Sequence, residues 1–494
     1  MQLVAYGAQD VYLTGKPQIT FWKLMYRRHT NFATESIAQT FNGTPGFGRR
    51  AAATISRNGD LISHVFLQIK APKLAQPALD ANVTAQQGDF LAMWDYETKT
   101  QSYIQASTDI TLSQQKVGAY ARYCNSFAHA LVDYCEIEIG GQRIDKHYSA
   151  YYEAMDELTG SEDKRSGYGK MVGKAIGQDG RPADAYNPRD KTTATTINTH
   201  AGQDDDVTFY MPLRFWFNSN PGLALPLIAL QYHEVKIGIQ FRNLADLVSW
   251  DIGFGPNNNI TTTDAPATFE QAAVSTLLAP YQEYTPALES NTSELGVELF
   301  VDYVYLDTDE RRRFAQNQHE YLIEQLQFTG TETQALSGGG VSVSGRYRLN
   351  FNHPCKELIF FAQDQDDVAE KNIHFNFGEN TGVKGVEYVR TVELKLNGHD
   401  RFSARDGSYF RLVQPYMCHT RVPSRHVYCY SFGLRPEEHQ PSGSCNFSRI
   451  DNATLHLTYG ASASDSTTLR LTVYAVNYNI LRIMSGMGGL AYSN

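Results

Sequence analysis

Hydrophobic and polar residues alternate with a period of two along most of this chain. Cys135-Glu136-Ile137-Glu138-Ile139 does so cleanly, as do Val235-Lys236-Ile237-Gly238-Ile239, Leu455-His456-Leu457-Thr458-Tyr459 and Leu469-Arg470-Leu471-Thr472-Val473. Such alternation sets one face of a strand on a core and the other toward water or a partner. Turn chemistry punctuates the runs at Arg57-Asn58-Gly59-Asp60, Gly140-Gly141, Asn397-Gly398 and Ser442-Gly443. Helical signal is sparse. Asp307 with Glu310 fits a capping box and predicts a helix from Thr308 to about Gln318, and Tyr151 to Leu158 has room for two turns. Many strands with few helices predict an all-β chain of antiparallel sandwiches.

The pattern comes twice. Gln39-Thr40-Phe41-Asn42-Gly43-Thr44 returns 287 positions on as Leu326-Gln327-Phe328-Thr329-Gly330-Thr331. Ile139-Gly140-Gly141-Gln142-Arg143-Ile144, followed by Tyr151-Tyr152, returns 258 on as Asn397-Gly398-His399-Asp400-Arg401-Phe402, followed by Tyr409-Phe410. Asn220-Pro221-Gly222 returns about 221 on as Pro441-Ser442-Gly443, and Val301 to Tyr305 returns 172 on as Val473 to Asn477. Order is kept while the offset shrinks, as two copies of one module give when the first has longer loops. Copy one is placed at about 26–310 and copy two at about 311–484, between an arm of 1–25 and a tail of 485–494. The extra lengths of copy one fall near 71–120, 160–207 and 244–296, and all three are expected to be loops; the second holds Gly167, Gly169 and Gly173. Loops that long inside a compact domain usually serve as functional surface or lack fixed structure.

At 494 residues the chain is too long for one ordinary core. Aromatics at 12% lean toward sheet. A net charge of −10, from 43 basic and 53 acidic residues, argues against a surface that coats nucleic acid. Arg27-Arg28-His29, Arg49-Arg50 and Arg311-Arg312-Arg313 read as solvated faces or partner contacts. Six cysteines form no CxxC pair and are too sparse for a disulfide scaffold, so reduced thiols and synthesis in a cytosol-like compartment are expected. The first residues lack the basic and apolar regions of a signal peptide, and the longest apolar run, Leu223 to Leu230, is too short to span a bilayer. A soluble chain with at most peripheral membrane contact is expected.

Catalytic chemistry is hard to find. No His-x-His occurs, and His233-Glu234 and His319-Glu320 have Ile237 and Ile323 where HExxH needs its second histidine. Cys418, His419, His426, Cys429, His439 and Cys445 cluster in sequence, but at spacings of no common zinc site. Asp156-Glu157 and Asp366-Asp367 could serve a glycosidase, yet neighbouring acids are commonly solvated. No catalytic residue, metal site or cofactor is therefore expected. Of the Asn-x-Ser/Thr sequons, Asn82, Asn259 and Asn291 lie in predicted loops and are the candidate glycan carriers.

The opening Leu3-Val4-Ala5-Tyr6-Gly7-Ala8-Gln9-Asp10, then Pro17-Gln18-Ile19-Thr20-Phe21-Trp22-Lys23 and Tyr26-Arg27-Arg28-His29-Thr30-Asn31-Phe32, resembles the major capsid proteins of nucleocytoplasmic large DNA viruses, the iridoviruses, phycodnaviruses and mimivirus relatives. So do Phe215-Trp216-Phe217, Leu306 to Arg311, Asn446 to Ala453 and the tail Ser485 to Tyr492. The resemblance implies two tandem eight-stranded jelly rolls and a homotrimeric capsomer of nearly hexagonal outline. It implies neighbouring capsomers as partners, in a virion shell built in host cytoplasm. It also puts the N-terminal segment at the inner base, toward minor capsid proteins and an internal membrane. Tyr6, Tyr12, Phe21, Trp22, Tyr26, Arg27 and Arg28 are the candidate inner-face contacts. The other reading of those aromatics is that they cover the bottom of their own sandwich. A minor or penton-like jelly-roll component, and a tandem-sandwich lectin or glycosidase, are the alternative functions.

Overall fold

Eight strands in each half recur in one pairing order. The first half carries β1 (Phe32–Gln39), β2 (Arg50–Thr54), β3 (Leu61–Ala71), β4 (Val132–Ile139), β5 (Gln142–Tyr148), β6 (Val207–Pro212), β7 (Val235–Phe241) and β8 (Gly296–Leu306). The second carries β9 (His319–Ala335), β10 (Val343–Arg348), β11 (Pro354–Asp364), β12 (Val389–Leu396), β13 (His399–Asp406), β14 (Tyr428–Ser431), β15 (Ala453–Tyr459) and β16 (Thr468–Met484). In the first half the sheets run β1-β8-β3-β6 and β5-β4-β7-β2; in the second, β9-β16-β11-β14 and β10-β15-β12-β13. Within each half, first strand pairs with last, second with seventh, third with sixth and fourth with fifth, all antiparallel. That is a long hairpin rolled into two facing sheets, the jelly roll. The computed structural model describes residues 7–22, 24, 26–74, 120–174, 207–251, 288, 294–336, 342–369, 372–378, 387–460 and 468–492, with the backbone of four short strands between 84 and 111.

The repeated turns take matching conformations. Gly140 and Gly141 join β4 to β5 at φ 60° and 81°, and Asn397 and Gly398 join β12 to β13 at φ 51° and 81°. Both are two-residue turns of the type that needs positive φ twice. They correspond at an offset of 257 rather than 258. The β12–β13 ladder slips twice where β4–β5 slips once, and this extra bulge restores 258 before the Tyr-aromatic pair. Gly43 and Gly330 also match, at φ 100° and 117°. Leu225–Pro226 pairs with β3 ahead of a 3-10 turn at Leu227–Ala229, and Cys445–Asn446 pairs with β11 ahead of one at Phe447–Arg449.

The halves are fused through one sheet. β11 is buried along nearly its whole length rather than at alternate positions. Leu358, Phe360 and Ala362 face the second half's own core, while Ile359 and Phe361 join the first half's core cluster. On β16, Val473 and Ala475 go one way and Tyr474 and Val476 the other. Across the junction Tyr148 meets Phe328 at 4.8 Å between ring centroids and Tyr151 meets Tyr474 at 5.8 Å, both edge-on. Asp145 Oδ1 on β5 accepts from the backbone N–H of Leu326 on β9 at 3.1 Å. The C-terminal hairpin Met487–Leu490, paired to β16, straps back onto the first half: Tyr232 N–H donates to Gly486 O at 3.0 Å, and Gly488 lies against Leu230 and Ile139. A Cβ on Gly488 would sit 2.7 Å from Leu230 Cδ2, in a fully buried contact. Gly488→Val is expected to cost about 1–3 kcal/mol by overpacking, read as a lower midpoint of thermal unfolding; an unchanged midpoint would mean that the strap carries no load.

The extra lengths of the first half are not all loop. A hairpin of Phe90–Asp95 with Thr100–Gln105 lies in the first, and Val248–Asp251 pairs with Tyr120–Tyr123 across the first and third. The second opens with helix α2 (Glu162–Val172), which follows α1 (Ser149–Thr159). Its glycines read as breakers, but Glu162 and Asp163 favour the helix start, and Gly173 at φ 75° ends it in the left-handed conformation typical of a C-terminal cap. Helix α3 (Thr308–Gln316) stops two residues short of the expected end, with Asp307 Oδ1 accepting from Thr308 N–H at 2.7 Å. Short helices at Phe127–Leu131, Trp216–Ser219 and Gln365–Ala369 had no sequence signal.

Candidate assembly surface

The N-terminal segment carries large apolar side chains that its own chain does not cover. A 3-10 turn at Ala8–Asp10, closed by Gly7 N–H donating to Asp10 Oδ2 at 2.7 Å, leads into a single helical turn at Val11–Thr14. Within that turn Tyr12 is 92% exposed, and beyond it Phe21 is 98%, Trp22 87% and Tyr26 84% exposed. Nine of the twenty exposed large hydrophobics among the described residues fall between Val11 and Phe32, so the exposure belongs to this segment rather than being scattered. The alternative that these aromatics floor their own sandwich does not fit such exposure for those four. Arg27 and Arg28 are exposed beside them. Tyr6 lies outside the described residues, as do Asn82, Asn259 and Asn291.

Sequence reading missed a second feature, a cluster of charges sealed between the halves. Glu153, Asp156 and Glu157 stand on α1, all at or below 5% exposure, where adjacent acids had been expected to be solvated. Lys174, two residues past α2, puts Nζ 2.8 Å from Glu153 Oε1, 3.0 Å from Asp156 Oδ2 and 2.8 Å from Glu157 Oε1. From the second half, Arg425 Nη1 reaches Glu153 Oε1 at 2.9 Å and Arg421 Nη2 reaches Glu157 Oε2 at 3.2 Å. Ser424 donates its backbone N–H and hydroxyl to Glu157 Oε2. Three carboxylates thus meet three cations. Burial alone would raise the Glu157 carboxyl, but the charges of Lys174, Arg425 and Arg421 outweigh it and hold the group at about 2. The same balance keeps Glu153 well below the usual range and Lys174 above its own. The acids here are structural ties, with no open face toward a substrate.

At the Cys-His cluster no group of three such ligands gathers among the described residues. His419 is instead held between Glu357 (3.2 Å) and Glu437 (3.0 Å). Burial opposes its charge, but the bonds to Cys429, Glu357 and Glu437 prevail and push it up to about 12. All six cysteines are free thiols. The side chains of Asp366 and Asp367 lie outside the described residues. A cleft of about 660 Å³ opens at the junction, bordered by Asp133 and Asp246. Asp133 is engaged by Arg242 at 3.3 Å and Asp246 by Asn243 at 3.3 Å. Of the basic runs, Arg50 bridges to Glu136 and Glu138, and Arg311 to Asp60 at 3.0 Å, so these two serve the chain's own packing. No helix among the described residues is long and apolar enough to cross a membrane.

Two family models match the chain, "Major capsid protein N-terminus" over residues 20–307 and "Large eukaryotic DNA virus major capsid protein" over 310–489. The sequence is 40% identical over 582 aligned positions to the major capsid protein of Phaeocystis pouchetii virus, covering 100% of this chain and 99% of that one. It is 39% identical over 532 positions to that of Paramecium bursaria Chlorella virus 1, with the same coverage. The crystal structure of PBCV-1 VP54 matches with a TM-score of 0.66 at 34% identity, over 96% of this chain and 100% of that one. The Faustovirus major capsid protein shares the fold, with a TM-score of 0.64 at 14% identity, over 97% of this chain and 94% of that one.

Proposed function

Since the chain belongs to the major capsid protein family of large eukaryotic DNA viruses, we propose that three copies close into one capsomer of nearly hexagonal outline. The protein is a structural component of the virion shell, not an enzyme, and it acts by associating with itself and with neighbouring capsomers. The observation that carries the trimer is the doubled module: two jelly rolls of one strand order, side by side through the sheet of β11 and β16, make a third of a six-unit ring. We take the chain as two such units, 26–310 and 311–484. Because their sequences differ, the two can make different edge contacts within one tile.

The exposed arm is assigned to the inner face, where Tyr12, Phe21, Trp22 and Tyr26 would dock on minor capsid proteins, with Arg27 and Arg28 toward the headgroups of an internal membrane. Assembly in host cytoplasm agrees with six free thiols. Solution mass with negative-stain imaging tests the trimer. Three copies of the 55.4 kDa chain make 166.2 kDa, and a six-sided projection at that mass is the expected result. A stable monomer at all concentrations would overturn it.

A further inference from the structure

The two halves place a helical segment at the same point of the roll, directly after the fifth strand, and treat it differently. In the first half this is α1. In the second it is Tyr409–Cys418, a π turn running into a short α turn. At the offset of 258, Tyr152 matches Phe410, and each is fully buried in the core of its own half. From there the segments part. Ala154 and Leu158 are both 0% exposed, whereas their counterparts Leu412 and Tyr416 are 40% and 80% exposed.

In the first half the cause is a cover supplied by the other module. The second half lies over α1: Arg421 N–H donates to Leu158 O at 3.0 Å, its guanidinium donates to Asp156 O and Glu157 O, and Phe375, Phe377 and Val427 share α1's apolar cluster. In a duplicated chain that contact is module one seated against module two. Module two's own segment has no such cover among the described residues, and its Leu412, Val413, Tyr416 and Met417 are left 40–80% exposed. Their spacing puts the four on one side of the helical segment. The chemistry has changed with the role. Glu153, Asp156 and Glu157 correspond to Arg411, Gln414 and Pro415, so no acids wait there for a lysine or an arginine.

We propose that the Leu412, Val413, Tyr416 and Met417 face is the seat for the first half of a second copy, so that the contact between chains repeats the contact within one. Such a contact is head-to-tail and generates a ring where the rotation closes. Apolar chemistry at the seam between chains lets each copy fold with its charges already paired, then associate by burial of surface that carries no charge penalty. The inference rests on the capsomer reading above and names its seam.

The test uses the full chain with Tyr416→Asp and Met417→Asp together. The parent is expected near 166.2 kDa and the variant near 55.4 kDa at low micromolar concentration, with matching circular dichroism. A photo-cross-linking amino acid at position 416 of the parent is expected to join residues of 26–310 in another copy. A parent trimer that survives both substitutions, or cross-links that reach only the second half of another copy, would overturn the seam and leave the capsomer reading standing. A parent that is itself monomeric would remove the capsomer reading. Should the double variant fail to fold, the cross-link decides.

Discussion

Replacing Lys174 with Met is expected to lower the resistance of the chain to unfolding by about 3–5 kcal/mol at neutral pH, the cost of leaving a buried charge without its partner. Lys174 is 3% exposed and lies within 3.0 Å of three carboxylates. With it gone, Arg421 still holds Glu157, and Arg425 and His129 still hold Glu153, but Asp156 loses the ammonium 3.0 Å away and one negative charge is stranded away from water. The pH dependence makes the prediction specific. In the parent, Glu157 is held at about 2, below its unfolded value of about 4.3, so its contribution is present above about 4.3 and lost as pH falls toward 2. In the variant, burial is no longer outweighed, and at least one carboxyl rises above its unfolded value. Its penalty is then largest at neutral pH and is relieved as the group takes up a proton. The gap between parent and variant should therefore narrow from pH 7 to pH 4. Urea midpoints for both proteins at three pH values measure this. A gap of constant size would show that the cluster is not charged as described.

The second large effect is expected outside the folded body. A chain with Phe21→Ser and Trp22→Ser should unfold within about 0.5 kcal/mol of the parent, as surface changes usually do, because the two rings are 98% and 87% exposed. Entry into shells should fall by well over tenfold. Anchoring aromatics at an interface are commonly worth about 2 kcal/mol each, and 1.4 kcal/mol is a factor of ten. The measurement is the ratio of variant to parent protein in purified particles after both are expressed together, with the solution mass of the capsomer as control. Equal incorporation would remove the arm from the assembly surface.

The two features differ in how far they could be read in advance. The arm shows in sequence because Tyr12, Phe21, Trp22 and Tyr26 follow no sheet period, and aromatics without a period have no face of their own to bury. The jelly rolls show because β4, β7, β15 and the first part of β16 alternate and the turns carry glycine or asparagine where positive φ is needed. The charge cluster does not show. Asp156-Glu157 looks like any solvated acidic pair until Lys174, Arg421 and Arg425 arrive from 17 to 269 residues away. The fused sheet lay between these cases. Leu358-Ile359-Phe360-Phe361-Ala362 is an unbroken apolar run, the mark of a strand covered on both faces, but a run of five does not say what covers it. Helix α2 was hidden because glycine at its end and glycine inside it look the same in a list of residues.

The strap made by Met487–Leu490 has a consequence for how the protein is born. When Leu306 leaves the ribosome the first roll has all its strands, yet the sheet that covers α1 and Tyr148 is still unmade. A further 188 residues must be translated before Asn494, which at about 5–20 residues per second is roughly 10–40 s. For that interval a nascent chain holds an oily, acid-lined face open to the crowded cell, until Arg421 and Arg425 reach the acids, Phe328 and Tyr474 cover Tyr148, and the strap closes on Leu230 behind them.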